Sequence, residues 1–307
     1  MKRARVLVVM STYNGERYLE DQIDSILNQK GVDLDLYIRD DGSTDGTGKI
    51  VNVYANKYSR VKCELSTNIG FAKSFFSALK SVEEEYDYYA FADQDDVWDC
   101  DKLSEAVLKL ENSEATLKMY ASGLKIVDEN LKFQYNHNFG SIRIKYGSAL
   151  SRQRLAGCTM VFNKALKDMV CKFELGENKE GYFSHDTLVY YVCLLCGGTV
   201  VFNPNGKIWY RRHADTVTEN GKGILKKINS VFDVFSSRKS LRYSQTIRLY
   251  EAYKDNISQD NLEIVRKIID YKRTIKNTIS LFFERDLNCG IPSVDIVNKL
   301  AILFRCY

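Results

Sequence analysis

The sequence predicts an α/β fold: a doubly wound, mostly parallel sheet with helices on both faces, followed by a basic, mainly helical C-terminal region. Two observations predict it. Short apolar, β-branched runs alternate with amphipathic helical segments through the first hundred residues, the pattern of a parallel sheet built from strand–helix–strand units. Each unusual polar cluster in that region also falls where such a run ends, and ligands of doubly wound sheets collect beyond the carboxyl ends of the strands.

The elements follow in order. Residues 4–10 form an apolar strand that stops at the turn-forming cluster Ser11-Thr12-Tyr13-Asn14-Gly15. An amphipathic helix is expected from about Glu16 to Gln29, with Tyr18, Leu19, Ile23, Ile26 and Leu27 on one side. Asp35 to Ile38 make a second strand, broken by Asp40-Asp41-Gly42-Ser43-Thr44-Asp45-Gly46-Thr47. A helix from about Gly48 to Tyr58, a strand at Val61–Leu65 and a helix from Ala72 to Ser81, opened by Asn68-Ile69-Gly70-Phe71, come next. The strand Tyr88–Ala92 then delivers Asp93-Gln94-Asp95-Asp96. An apolar helix is expected over Leu188–Leu195, and Leu262–Phe283 and Val294–Phe304 read as amphipathic helices.

With 307 residues, 45% of them hydrophobic, the chain suits one large domain or a domain with a helical appendage. Val6 to Met10 is too short for the apolar core of a signal peptide, and no apolar stretch approaches the length that spans a bilayer. Eight cysteines lack a framework spacing and read as reduced, which points to the cytoplasm. Cys193 and Cys196 have redox-motif spacing but lie inside an apolar run, where they read as small buried hydrophobes. Charge is uneven: residues 1–214 are close to neutral, whereas residues 215–307 carry 16 Lys and Arg against 11 Asp and Glu. A basic tail points to an anionic surface, nucleic acid or membrane.

Three carboxylates in the four positions Asp93 to Asp96 repel one another, and a chain that keeps them usually neutralises them with a cation. An Asp-x-Asp at a strand end is a hard-oxygen site for Mg²⁺ or Mn²⁺, which in turn clamps a diphosphate; the alternative is an acidic turn capping the next helix. The second acidic cluster, also at a strand end, favours the metal. No Gly-x-Gly-x-x-Gly follows the first strand and no Walker loop is present, which excludes the commonest dinucleotide and triphosphate sites. A nucleotidyltransferase would want a glycine-rich, cationic loop after strand one, and Thr12–Arg17 offers a single glycine. A nucleic-acid-binding role for the tail leaves both acidic clusters unexplained, so no nucleic-acid partner is expected.

Ser11-Thr12-Tyr13-Asn14, Asp40 to Thr47, Asn68-Ile69-Gly70 and Asp93-Gln94-Asp95-Asp96 resemble, in order and spacing, family 2 glycosyltransferases of the GT-A fold. Leu155 to Asn163, Ser184-His185-Asp186 and Tyr210-Arg211-Arg212-His213 look like the rhamnosyltransferase-like branch that builds bacterial surface polysaccharides. The resemblance covers about residues 4–214. It implies a catalytic domain at 1–214, with a nucleotide-sugar half at about 1–98 and an acceptor half at about 99–214, and a separate region at 215–307.

The resemblance also implies roles. Thr12 and Tyr13 line the base pocket and Asp41 accepts from the base N3–H; the alternative for Asp41 is a turn carboxylate. Asn14, Asn68, Gly70, Asp93, Gln94 and His213 complete the donor set. Asp95, with Asp93 and His213, holds the metal. Arg211 and Arg212 flank His213 and suit a diphosphate leaving group. Asp186 is the general base, or an N-cap, or both. Gly157, Cys158, Trp98 and His185 border the acceptor, His185 as a positioning or surface residue.

The activity implied is inverting, metal-dependent transfer of a sugar to a lipid-linked glycan precursor at the cytoplasmic membrane face. The donor implied is dTDP-rhamnose, or else a UDP-hexose such as UDP-glucose, UDP-galactose or UDP-N-acetylglucosamine. Residues 222–248, with seven Lys and Arg against one Asp, are expected either to lie on an anionic membrane or to pack on the catalytic domain.

Overall fold

Strand β1 (Arg5–Thr12) is apolar without alternation because both of its faces are covered, as in parallel sheets generally. Its alternate residues go to different cores. Val6, Val8 and Met10 pack with Leu19, Ile23 and Ile26 on one side, and Leu7 and Val9 with Phe75, Phe76 and Leu79 on the other. The computed structural model describes residues 3–140, 142–152, 155–176, 182–213 and 240–307.

In chain order the elements after β1 are α1 (Leu19–Leu27), β2 (Asp33–Asp40), α2 (Thr47–Lys57), β3 (Val61–Leu65), α3 (Phe71–Ser81), β4 (Tyr88–Ala92), β5 (Val97–Trp98), α4 (Lys102–Glu111), β6 (Lys118–Ser122), β7 (Leu124–Val127) and β8 (Phe133–His137). Then come α5 (Tyr146–Ser151), a 3₁₀ turn at Gly157–Thr159, β9 (Val161–Asn163), α6 (Lys164–Cys171), α7 (His185–Leu195), β10 (Thr199–Asn203) and β11 (Ile208–Arg211). Four helices close the chain: α8 (Leu241–Tyr253), α9 (Gln259–Asp270), α10 (Ile275–Phe282) and α11 (Pro292–Leu303).

The expected doubly wound sheet is present, seven-stranded and ordered β10-β6-β9-β4-β1-β2-β3. Strand β9 alone runs antiparallel, against β4 and β6. Because β1 pairs in parallel with both β2 and β4, Thr12 lies opposite Asp40 and Met10 opposite Ala92. The three polar clusters therefore leave one edge of one sheet. A second sheet, ordered β5-β11-β7-β8, was not foreseen. Its antiparallel β5–β11 pair sets Trp98 opposite Ile208 and carries the chain after β11 back to the loop after β4.

Some expected boundaries move. Helix α1 starts at Leu19 because the amides of Tyr18 and Leu19 both bond to the Gly15 carbonyl in a preceding turn. Leu262–Phe283 is two helices: the chain breaks before Thr274, whose side chain caps α10 by accepting from the Asn277 amide at 3.1 Å. Cys193 and Cys196 are free thiols, Cys193 buried and Cys196 partly so, and burial raises both, Cys196 to about 11. That environment makes poor thiolates.

The C-terminal helices share the main core. Leu249, Tyr253, Ile264, Val265 and Ile268 belong to the same buried cluster as Leu7, Phe91 and Leu188. Gln245 Nε2 donates to the Tyr182 carbonyl at 2.6 Å and Asn261 Nδ2 to the Leu194 carbonyl at 2.8 Å. Most of the basic stretch 222–248 lies outside the described residues. Of its cations that are described, Arg248 donates to the Glu174 and Leu175 carbonyls, which is packing on the catalytic region. Ile268 is fully buried, so Ile268→Ala is expected to cost about 2–5 kcal/mol and to lower one shared unfolding transition. Urea denaturation followed by circular dichroism checks this; two transitions, only one of them shifted, would show a separately folding appendage.

Candidate active site

At the ends of β1 and β2 the protein neutralises its own carboxylates. Thr12 is fully buried and its hydroxyl donates to Asp40 Oδ1 at 2.8 Å, while the Ser43 amide donates to Oδ2 at 3.0 Å. The Thr12 side chain is thus committed to the scaffold and lines no open pocket. Asp41 pairs with the buried Arg39 guanidinium at 2.6 Å. Asp41 also accepts from the amides of Ile69 and Gly70, each at 2.9 Å. Its Oδ2 keeps room for one more donor. Arg39 reaches on to Ser74 and Ser66. The sequence reading missed Arg39 because it sits inside a strand, without a motif around it.

Tyr13 is the exposed member of this group, with its ring half open to solvent. Gln94 clamps its backbone from both sides, accepting from the Tyr13 amide at 2.8 Å and donating to its carbonyl at 3.0 Å. A Cβ at Gly15 would meet the end of the Gln94 side chain at 2.4 Å, so a larger residue there would displace this clamp. Asn14 accepts from the Thr44 amide at 2.8 Å and so ties the loop after β1 to the loop after β2. Asn68 is exposed and its Oδ1 accepts from the Gly70 amide at 3.2 Å, ahead of α3.

The loop after β4 is arranged differently. Its backbone is well held: buried Gln22 donates to the Asp93 carbonyl at 2.8 Å, and Arg211 Nε donates to the Asp95 carbonyl at 2.8 Å. Arg211 is buried, pairs with Asp21 at 3.0 Å and donates to the Glu129 carbonyl at 2.6 Å. Contrary to the expectation, it is a strut and offers nothing to a diphosphate. His213 arrives beside Asp95, with Nε2 2.8 Å from Oδ2 and its ring 5.0 Å from that of Tyr18.

The carboxylates of this loop are crowded. Ligand atoms of Asp93, Asp96 and Cys158 lie within 4.8 Å of one another, and Asp95, whose charge acts on both acids, meets His213. Burial, then the charges of Asp95 and Asp186, push the Asp93 carboxyl up to about 7. Burial, then Asp95 and Asp93, raise Asp96 well above the usual range; its Oδ1 accepts from the Arg211 amide at 3.1 Å and its Oδ2 has no hydrogen-bond partner among the described residues. Behind it Lys102 is buried with an unpartnered Nζ 3.4 Å from the centre of the Trp98 ring. Burial lowers this ammonium to about 7, against the pull of Cys158 and Asp96. Sequence reasoning missed Lys102 because nothing in its neighbourhood marks it as buried.

Asp186 lies in the first turn of α7 and is not its N-cap: Ser184, two residues earlier, occupies the cap position. The Ser184 hydroxyl and the Thr187 amide, the latter at 2.7 Å, both donate to Asp186 Oδ1. Gly157 lets the chain pass close by, since a Cβ there would meet His185 Nε2 at 2.9 Å and Asp186 Cβ at 3.1 Å. His185 is not a surface residue. It stacks on Phe75 at 4.0 Å and meets Phe91 edge-on at 4.6 Å, and burial pulls its imidazole down to about 4. Cys158 and Trp98 are also buried, the thiol facing the carboxylates and the ring facing Lys102, so neither presents a surface to an acceptor.

These residues fit a hard divalent cation: carboxylate oxygens, two acids held above their usual range by crowding, and one buried carboxylate oxygen without a donor. Asp93 titrates higher in the folded chain than its ordinary 3.8, so the native state holds the extra proton between about pH 4 and 7. Stability from this group therefore falls as pH rises through that window, and a cation that displaces the proton restores it. Millimolar Mn²⁺ is expected to raise the melting temperature more at about pH 7.5 than at about pH 5. Thermal melting with and without chelator reads this, and no rise at either pH would exclude the cation.

The sequence model described as Glycosyl transferase family 2 matches residues 7–171. Among curated proteins the chain is 40% identical over 131 residues to the dTDP-rhamnosyl transferase RfbG of Shigella flexneri, covering 39% of this chain and 45% of that protein. It is 37% identical over 101 residues to the putative teichuronic acid biosynthesis glycosyltransferase TuaG of Bacillus subtilis, covering 33% and 39%. The chain thus spans less than half the length of these relatives. Among solved structures, TarS 1–349 of S. aureus in complex with UDP-GlcNAc superposes with a TM-score of 0.56 at 16% identity, covering 99% of this chain and 91% of that one. The mannosyltransferase PcManGT of Pyrobaculum calidifontis, in complex with GDP-Man and Mn²⁺, gives 0.53 at 16% identity, covering 98% and 76%. At these identities the likeness establishes the fold, which is GT-A. With more than half of its length matched by the family, the chain belongs to glycosyltransferase family 2.

Proposed function

We propose that the chain is an inverting, metal-assisted glycosyltransferase that moves L-rhamnose from dTDP-rhamnose to a lipid-linked precursor of a bacterial surface polysaccharide. The observation that carries the transfer reading is the placing of Asp186, at the N-terminus of α7, against Gly157, the neighbour of Cys158 in the cluster that holds Asp93 and Asp96. The likeness to a dTDP-rhamnosyl transferase supports the donor. The working place is the cytoplasmic face of the membrane, with the enzyme peripheral to it; no helix among the described residues is long and apolar enough to cross a bilayer.

Each residue then has a task. Asp41 Oδ2 accepts the N3–H of thymine or uracil, with the carboxylate oriented by Arg39 and two amides. Tyr13, the most open side chain at the end of β1, covers the base. Asp93, Asp95 and His213 hold Mg²⁺ or Mn²⁺, which when bound offsets the charge of the departing diphosphate. Asp186, oriented by Ser184 and Thr187, takes the proton of the acceptor hydroxyl. That oxygen forms the new bond to the anomeric carbon as the bond to the nucleoside diphosphate breaks, with inversion.

Nucleoside diphosphate release from a panel of dTDP- and UDP-sugars, with metal present, is expected to single out dTDP-rhamnose; release only from UDP-hexoses would reassign the donor. Asp95→Asn is expected to abolish turnover, and full activity of that variant or in excess chelator would remove the metal. Asp186→Asn is expected to leave nucleoside diphosphate binding intact by calorimetry while lowering the transfer rate by about 10²–10⁴-fold. Equal loss of binding and rate would make Asp186 a structural residue of the helix start.

A further inference from the structure

The two last helices carry apolar stripes that the core does not cover. On α10 and the residue after it, Ile275, Ile279 and Phe283 follow at helical spacing and are 73%, 48% and 70% exposed. On α11, Ile296, Leu300 and Leu303 do the same at 59%, 39% and 46%. The opposite faces, with Thr278, Leu281, Ala301 and Ile302, are buried. Lys299 Nζ lies 5.6 Å from the centre of the Phe282 ring and so joins the helices. Ile279 lies one turn before Phe282, and Ile296 and Leu303 lie one turn to either side of Lys299. The two stripes thus run side by side, which is unlike the scattered single hydrophobes normal on a soluble surface.

The charges around this face are one-sided. All four acids between residues 270 and 307 are occupied within the protein. Asp270 pairs with Arg273 at 3.1 Å, Glu284 with Lys267 at 2.8 Å and Asp286 with Lys145 at 2.8 Å, and Asp295 accepts from the Cys289 amide at 2.7 Å. Lys276, beside the first stripe, and Arg305, beside the second, are exposed and meet no carboxylate among the described residues. The amide of Ser240, which lies within the basic stretch 222–248, bonds to the Cys306 carbonyl at 2.7 Å, at the same corner.

We propose that the α10–α11 face docks the protein in the plane of an anionic bilayer, with its isoleucines, leucines and Phe283 in the interface and Lys276, Lys299 and Arg305 against the headgroups. Charge complementarity selects lipid over a second copy of the chain. A twofold contact would set this cationic patch against an identical cationic patch, and like charges across a contact oppose association. The proposal takes up the membrane part of the function proposed above and assigns it to a surface outside residues 214–239. Vesicle binding and donor hydrolysis are read separately, so either can fail alone.

The test is co-sedimentation of the full chain with phosphatidylcholine vesicles containing phosphatidylglycerol, at low and high salt. Two variants are compared, one with Ile279→Ser, Phe283→Ser and Leu300→Ser and one with Lys276→Gln and Arg305→Gln. The serines are expected to weaken binding at least about tenfold at both salt concentrations. The glutamines are expected to weaken it by about fivefold per cation at low salt only. Donor hydrolysis and melting temperature should stay at wild-type values in both variants. A wild-type chain that ignores these vesicles overturns the proposal, as do serine and glutamine variants that both bind like wild type, which would give the attraction to residues 214–239. A wild-type dimer in sedimentation that the serines convert to monomer, without vesicle binding, would assign the face to a second copy.

Discussion

The parallel register of β1, β2 and β4 brings five carboxylates, Asp40, Asp41, Asp93, Asp95 and Asp96, to one edge of one sheet, and the rest of the site answers that crowding. Parallel strands that stop together place their exits side by side, so residues more than fifty positions apart become neighbours. Like charges at that edge cost stability unless donors, counter-charges, protons or a cation relieve them.

The two clusters are relieved in different ways, and the difference assigns their work. Asp40 and Asp41 have Thr12, Ser43, Arg39 and two amides between them, so the protein completes their neutralisation from within. Among the described residues no guanidinium pairs with the side chains of Asp93 and Asp96. Lys102, which feels the charge of Asp96, is itself so buried that its ammonium is weakened. Arg211, which might have supplied charge, spends its guanidinium on Asp21 and two carbonyls and holds the loop in place. Rigid backbone with uncompensated carboxylates is an arrangement that a divalent cation completes.

The small second sheet acquires its purpose from the same constraint. The β5–β11 pair is only two residues deep in register, yet it returns the chain so that His213, more than a hundred residues from Asp95, reaches its carboxylate. The α7 start does the same for Asp186, with Gly157 allowing the approach. The C-terminal helices bury one face in the catalytic core and leave the other uncovered, which is how one structural element serves both packing and contact with the surroundings.

The sequence by itself determined the sheet, its helices and the places where chemistry collects. Strands with two buried faces must be continuously apolar, and polar residues that interrupt them mark the carboxyl edge. Asp41, Asp93, Asp95, Asp186 and His213 were singled out on those grounds and by resemblance, and their tasks are those proposed above. Four things were decided only in three dimensions. Thr12 turned inward to Asp40, Arg211 became a strut, Trp98 and Cys158 lay beneath the site with Lys102, and His185 entered an aromatic box. Thr12, Arg211, Cys158 and His185 depend on partners 28 or more residues away, and short strands such as Val97–Trp98 carry too few residues to announce the pairing that brings them there. Local pattern records which residues prefer burial; only packing decides which buried group meets which charge.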